Sequence, residues 1–151
     1  MNETEYIFCV LIDSYDEGDE FIEWPLHITL VPWFFVPDIT EFQLSITEAI
    51  TYLRPIHVIV GEERVWGPNT VNVIERSEPL HDLHARLLRQ TNMSGRIVIN
   101  QQYTGENYTP HITQQSSLSA TPGDKIIIDQ FCIIKKTHSH RLKTVIKIFK
   151  L

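Results

Sequence analysis

Trp24-Pro25-Leu26-His27-Ile28-Thr29-Leu30 carries a His-Ile-Thr triplet, and Tyr108-Thr109-Pro110-His111-Ile112-Thr113-Gln114 carries the same triplet again. Each copy follows closely on a proline and sits among strand-forming residues. Along a strand, side chains at i and i+2 share a face. His27 and Thr29 therefore project together while Ile28 turns into a core, and His111, Thr113 and Ile112 repeat that division. The expectation is that the two copies face each other across one cleft and work on one phosphate.

Working outward from the first copy, Tyr6–Ile12 is an apolar run with strand character, followed by the acidic stretch 13–20, expected as a surface loop. Thr29–Phe35 continues as strand or extended chain, with Pro32 and Pro37 expected to limit its ladder. From Asp38 the period changes. Phe42, Ile46, Ala49, Ile50 and Leu53 recur at helical spacing, and Asp38 stands three residues before Glu41 as an N-cap. Ile56–Val60 and Val71–Glu75 are strand-like. Ser77 caps a second helix over 78–90 with Leu80, Leu83, Leu87 and Leu88 as its buried stripe. Arg96–Ile99, Lys125–Ile134 and Lys143–Phe149 complete the strands. Strands and helices do not alternate as in a parallel sheet, so the class is α+β with antiparallel sheets. Each half holds one helix and one triplet, which predicts two similar lobes within a single domain, 1–151.

The composition excludes several classes. With 42% hydrophobic and 21% charged residues the chain matches a soluble globular domain. The N-terminal apolar run is too short to cross a bilayer and follows Glu3 and Glu5, so neither signal peptide nor membrane anchor is expected. Cys9 and Cys132 lie far apart without metal-type spacing, which suits two buried thiols in a reducing cytoplasm. The net charge of -6 is unevenly spread. No Lys or Arg occurs before Arg54, whereas 135–150 is basic. Such polarity can orient an anion toward one face. It does not supply the extended basic surface that a long duplex needs. A small phosphorylated ligand or an RNA end fits better.

Two imidazoles can serve as base and acid in one turnover. Two threonine hydroxyls can donate hydrogen bonds to phosphate oxygens as charge develops on them. Together these groups suffice for phosphodiester cleavage without a metal, so no cofactor is expected. One histidine deprotonates water or a ribose hydroxyl, and the other protonates the leaving oxygen.

These motifs resemble those of the 2H phosphoesterases, which include the 2′-5′ RNA ligases and cyclic phosphodiesterases and carry two His-x-Ser/Thr-hydrophobic motifs on facing strands of a two-lobed α+β fold. His27-Ile28-Thr29-Leu30 matches in full. His111 to Thr113 matches with Pro110 and Tyr108 where the family often has a proline and an aromatic. Val65-Trp66-Gly67-Pro68, the strand Val71–Ile74 and the segment Ser77–His84 are similar to the family's middle segment, and the terminal hairpin fits as well. The resemblance implies pseudo-two-fold duplication around a central cleft, catalytic roles for His27 and His111, and phosphate binding by Thr29 and Thr113. Gln114 departs from the pattern, standing where a hydrophobic residue is usual.

Around the motifs, Tyr108, Trp33 and Tyr103 are candidates to stack on a base, Tyr108 first because it lies three residues before His111. His140 and Arg141, with His138, belong to a hairpin turn that can meet a substrate phosphate. His81 and His84 flank Asp82 on the second helix without a third ligand nearby, so they are expected as solvated positions rather than a metal site. The expected partner is an RNA terminus or a small cyclic or 2′-5′-linked nucleotide, with a monomer as the default state. The competing expectations are a binding module that holds a nucleotide or RNA end without turnover, and a metal-dependent hydrolase using His27, His111 and a carboxylate.

Overall fold

The computed structural model describes residues 4–115, 118–137 and 140–151. The strands are β1 (Glu5–Leu11), β2 (Glu20–Phe21), β3 (His27–Phe35), β4 (Ile56–Trp66), β5 (Asn69–Ile74), β6 (Arg96–Ile97), β7 (His111–Thr113), β8 (Lys125–Ile128), β9 (Gln130–Thr137) and β10 (His140–Lys150). Helix α1 (Ile39–Ala49) follows β3, and α2 (Glu78–Ser94) follows β5. Every strand pair is antiparallel, in the order β2-β10-β9-β1-β3-β7-β5-β4-β8, with β6 joining the far end of β3. The fold is the expected α+β type.

Both helices begin where their capping residues predict. The Asp38 carboxylate accepts from the Glu41 amide, and the Ser77 hydroxyl accepts from the Leu80 amide. These bonds satisfy backbone donors that a first helical turn otherwise leaves open. Helix α2 runs past the expected 90 to Ser94. Among the described residues no helix is long and apolar enough to cross a membrane.

One face of the sheet carries the main core. Phe8, Phe34, Phe42 and Phe131 form a fully apolar aromatic group, with Phe8 stacked on Phe34 at 5.2 Å and meeting Phe131 edge-on at 5.8 Å. Leu80, Leu83 and Leu87 of α2 join the same core, as do Ile28 and Ile112, the middle residues of the two triplets. Fully burying a side chain of this size contributes about 2 kcal/mol. Ile28 and Ile112 thus hold their strands face-down, and the alternation of the strand turns the flanking histidines and threonines to the other face.

The sheet divides naturally at the two triplets. β3 ends one group (β2, β10, β9, β1, β3), β7 begins the other (β7, β5, β4, β8), and Ile28 pairs directly with Ile112 across the seam. Instead of facing one another across a gap, the triplets lie side by side as neighbouring antiparallel strands. A second correction concerns 125–134, which sequence pattern joins into one strand. It breaks at Asp129, with Lys125–Ile128 pairing β4 in the second group and Gln130–Thr137 pairing β1 and β10 in the first. Its continuous apolar run is served by partners from both groups, which a hydrophobic pattern alone does not distinguish. Pro32 does not end β3. The β1–β3 register slips between Tyr6↔Phe34 and Phe8↔Val31, and this bulge accommodates the proline's missing donor. A similar slip in β4 lies at Gly61, where an added Cβ would stand 2.3 Å from the Val73 carbonyl oxygen, so only glycine lets the strands approach there.

Candidate active site

The Ile28–Ile112 pair acts as a local two-fold axis. In an antiparallel ladder the residues on either side of such a pair are exchanged, so Thr113 falls beside His27 and His111 beside Thr29. Two imidazoles and two hydroxyls thus share one patch of the face opposite the helices.

Each imidazole is fixed in the same manner. His27 Nδ1 lies 2.9 Å from the carbonyl oxygen of Pro25, and His111 Nδ1 lies 2.9 Å from that of Thr109, in both cases two residues back along the chain. A carbonyl only accepts, so Nδ1 carries the proton and donates, and the neutral ring presents Nε2 as its acceptor. Among the described residues neither Nε2 has a hydrogen-bond partner. The prolines beside the motifs, Pro25 and Pro110, have rings that restrict the backbone presenting these carbonyls.

The surroundings differ. Trp24 stacks on His27 at 4.2 Å and 28°, and Trp66 meets His111 edge-on at 4.8 Å. His27 retains some exposed surface, yet burial, followed by the nearby His111 and Lys143, holds its pKa down at about 4, against the pull of the Pro25 carbonyl. His27 is therefore neutral at physiological pH and able to accept a proton. Thr29 is the cross-strand partner of Cys9. Cys9 and Cys132 are free, buried and directly opposed in β1 and β9, and burial pushes the Cys132 thiol up to about 12.

Beside His111 opens a cleft of about 640 Å³ lined by Thr29, Trp66, Asn69, Asn100, Tyr103 and Asn107, among others. Trp66 and Asn69 flank the β4–β5 turn, and the rest of that wall comes from two single 3-10 turns at Gln101–Tyr103 and Gly105–Asn107. Asn100 takes φ +60°, the only non-glycine in the left-handed region among the described residues. Trp66 belongs to the Val65–Pro68 stretch that resembles the family's middle segment, but no local pattern singles out Asn69, Asn100 or Asn107. The Gly67-Pro68 turn and the loop character of 100–107 are the only signals that they share.

A clasp from α2 holds the cleft wall to β3. His84 Nδ1 donates to the Leu30 carbonyl, its Nε2 accepts from the Gly105 amide at 2.9 Å, and its ring stacks flat on Tyr108 at 3.9 Å and 9°. Tyr108 in turn donates its hydroxyl to the Thr29 carbonyl at 2.7 Å, and His81 sits between the carbonyls of Ser77 and Tyr108. The expectation that His81 and His84 are solvated is overturned for His84, which is buried, and for His81, which is half-buried. Spaced four residues from Leu80 and three from Leu87, His84 lies within the apolar stripe, and its two fixed partners remove the cost of burying it. Burial pushes its pKa down, which keeps the ring neutral for this arrangement.

The family model described as the 2′-5′ RNA ligase superfamily matches residues 12–139. The chain belongs to that superfamily. Solved structures share the fold: Escherichia coli LigT without ligand aligns over 100% of this chain and 99% of its own, with TM-score 0.62 and 15% identity. A protein described as a phosphoesterase aligns over 99% and 98%, with TM-score 0.60 and 14% identity. LigT complexed with 3′-AMP aligns with TM-score 0.58 and 14% identity, over 98% of both chains. No match arises among curated protein sequences.

Within this 2′-5′ RNA ligase superfamily fold, the structure brings together His27, Thr29, His111 and Thr113, and sets Tyr103 in the cleft wall. Tyr108 also borders the cleft, but it is buried, with one ring face on His84, so it supports the wall instead of offering a stacking surface. Trp33 is buried too, packed in the cluster around Cys9 and Cys132 with Lys136 Nζ 4.1 Å from its ring. Arg141 is exposed near the start of β10, and His140 opens that strand as the backbone partner of Thr137. His138 lies outside the described residues. Gln114 is half-buried and donates to Glu63 at 3.0 Å and to Asn72 at 3.4 Å, so it ties the end of β7 to β5 and β4 at the position where it departs from the family's usual hydrophobic residue. Among the described residues no group of three His, Cys, Asp or Glu side chains is placed to hold a metal ion.

Proposed function

We propose that the protein is a phosphoesterase that acts on 2′,3′-cyclic phosphates or 2′-5′ phosphodiester linkages of RNA ends or small nucleotides. The observation that carries this reading is the matched pair of imidazoles, each locked through Nδ1 and each presenting Nε2 beside the other motif's threonine.

In hydrolysis, His27 Nε2 takes a proton from water as its oxygen bonds to phosphorus. The bond from phosphorus to the ribose oxygen breaks, and His111, protonated, delivers its proton to that oxygen. Thr29 and Thr113 donate to the non-bridging oxygens as their charge grows. With a ribose hydroxyl in place of water the same groups run ligation. Base and acid both come from the chain, so no metal ion is required for either step.

The cleft beside His111 takes the nucleoside. Its size lies within the range of small-molecule sites. Trp66 and Tyr103 offer aromatic faces, while Asn69, Asn100 and Asn107 offer amides suited to a base edge. LigT, which shares the fold, is known in complexes with 3′-AMP, NADP+ and ATP, which supports a nucleotide in this place.

The test is to incubate the protein in EDTA with an RNA oligonucleotide ending in a 2′,3′-cyclic phosphate, and with a 2′-5′-linked dinucleotide, alongside His27→Ala and His111→Ala. Turnover by the wild type that either substitution removes supports the mechanism. Activity that appears only with added metal would overturn it, and tight binding without turnover would identify a binding module.

A further inference from the structure

A phosphodiester has two ester arms, and a base and an acid on opposite sides of phosphorus hold the attacking and leaving oxygens in line. In the proposed step the leaving arm lies beside His111, in the cleft, and the arm that stays on phosphorus extends past His27. That side is built quite differently. Trp24 covers His27, and Lys143 Nζ stands 5.3 Å from the Trp24 ring centre and 5.9 Å from that of Phe21. Lys136 is the cross-strand partner of Lys143, and its Nζ sits 4.1 Å over Trp33. Arg141 lies two residues before Lys143 and its charge acts on it.

Three cations are therefore gathered near one end of the β9–β10 hairpin, beside the patch that carries the histidines. Among the described residues none of the three makes a salt bridge, and Glu23 is the carboxylate whose charge favours Lys143. Glu20 in β2 accepts from Thr144, the residue after Lys143, and Glu17 in the loop before β2 pairs with Lys147 farther along the hairpin. Glu5 is the cross-strand neighbour of Lys136 on β1 and Glu23 acts on Lys143, so three cations stand against two carboxylates, and in a chain of net charge -6 that local excess favours an anion from outside. The aromatic rings beneath Lys136 and Lys143 fix where their ammonium groups stand.

We propose that Lys136, Arg141 and Lys143 form a second phosphate subsite, which takes a non-reacting phosphate on the substrate arm that stays on phosphorus and extends past His27. This rests on the proposed function and extends it. The preferred substrate is a strand carrying at least one phosphate beyond the reacting one, and a nucleoside cyclic monophosphate fills only half of the site.

The experiment measures binding, so it reads out whether or not turnover occurs. In a His111→Ala background, dissociation constants are determined by fluorescence anisotropy for a labelled 2′-5′-linked diadenylate and for two versions with an added phosphate. One version carries it on the 3′-oxygen of the nucleoside joined through O5′, the other on the 5′-oxygen of the nucleoside joined through O2′. One version should bind about ten-fold more tightly than the parent at roughly 50 mM salt. In Lys136→Gln/Arg141→Gln that advantage should fall toward one, and the slope of log K against log salt should flatten by about 0.7 for each cation that no longer meets a phosphate. Lys143 is left in place because it also donates to the Ile22 carbonyl at 2.9 Å and supports the loop under Trp24. Arg141→Gln alone, at an exposed position, should show an intermediate loss with an unchanged melting temperature. Equal binding of all three ligands would overturn the proposal, as would an advantage that survives both substitutions. Cleavage of the parent diadenylate by the unsubstituted protein tests the proposed function separately.

Discussion

The two halves of the site share one tripeptide and one backbone lock, and almost nothing else. His27 lies under the face of Trp24 with Lys143 close by and has its pKa held down at about 4. His111 touches Trp66 by an edge at the lip of an open cleft. A repeated motif thus supplies two equivalent side chains, and the walls around them differ. In the proposed mechanism the symmetry provides the geometry of in-line transfer, and the unlike walls assign the roles.

The strongest way to break this comparison is to remove one half at a time. His27→Ala and His111→Ala should each lower kcat by about 10³-fold, the scale of a lost general acid or base. If the roles are distinct, the two variants should lose opposite limbs of the pH profile. The limb that rises from acid, with a midpoint near 4 in kcat/KM, should vanish in His27→Ala and persist in His111→Ala. Loss of the same limb in both would mean that the walls do not set the roles.

Stability carries the same asymmetry. The folded pKa of His27 lies below the ordinary 6.5 of the unfolded chain, so between those values the unfolded state binds more protons. The stability associated with neutral His27 is complete above pH 6.5 and is lost as pH falls toward 4. At pH 5 the loss amounts to at most about 2 kcal/mol. Urea unfolding at pH 7 and pH 5 should show this decline in the wild type and a smaller one in His27→Gln. The remainder contains the contribution of His84, shifted by burial in the same direction.

The sequence exposes some of this architecture and conceals the rest for definable reasons. Asp38 and Ser77 announce their helices because a cap is a contact over three residues. Ile28 and Ile112 announce which way each triplet faces because strand alternation is local. That the triplets pair with each other depends on the register between strands more than 80 residues apart, and no short pattern records it. The break at Asp129 is hidden because both of its flanks are equally apolar. His84 is hidden because its two partners, the Leu30 carbonyl and the Gly105 amide, lie on segments far from it in sequence. Trp66 and the asparagines of the cleft are brought together only by tertiary structure.

The cleft side can be sharpened against the covered side through its two tryptophans. Trp66→Ala should raise KM for a nucleotide substrate by roughly ten-fold, since stacking on a base is worth about 1–3 kcal/mol. Trp24→Ala should act chiefly on kcat, and it should move the acid limb upward because it uncovers His27. Steady-state kinetics of the two variants across pH separates these outcomes. Matching KM effects would indicate that a base occupies both sides.

The smallest effect concerns what keeps the halves in step. The Tyr108 hydroxyl reaches from the approach to the second triplet to the Thr29 carbonyl of the first, so it ties the two motifs together without touching the patch that the histidines form. Burial raises the pKa of this phenol, which leaves it protonated as a donor. Tyr108→Phe retains the ring on His84 and deletes only the hydrogen bond, at a cost of about 1 kcal/mol in stability. If that bond merely stabilises, kcat should not change at temperatures where the variant is folded. If it sets the spacing of Thr29 against His111, kcat should fall several-fold while KM and the acid limb stay in place. The second result is expected, because the carbonyl that Tyr108 holds belongs to the residue whose hydroxyl is proposed to meet the phosphate.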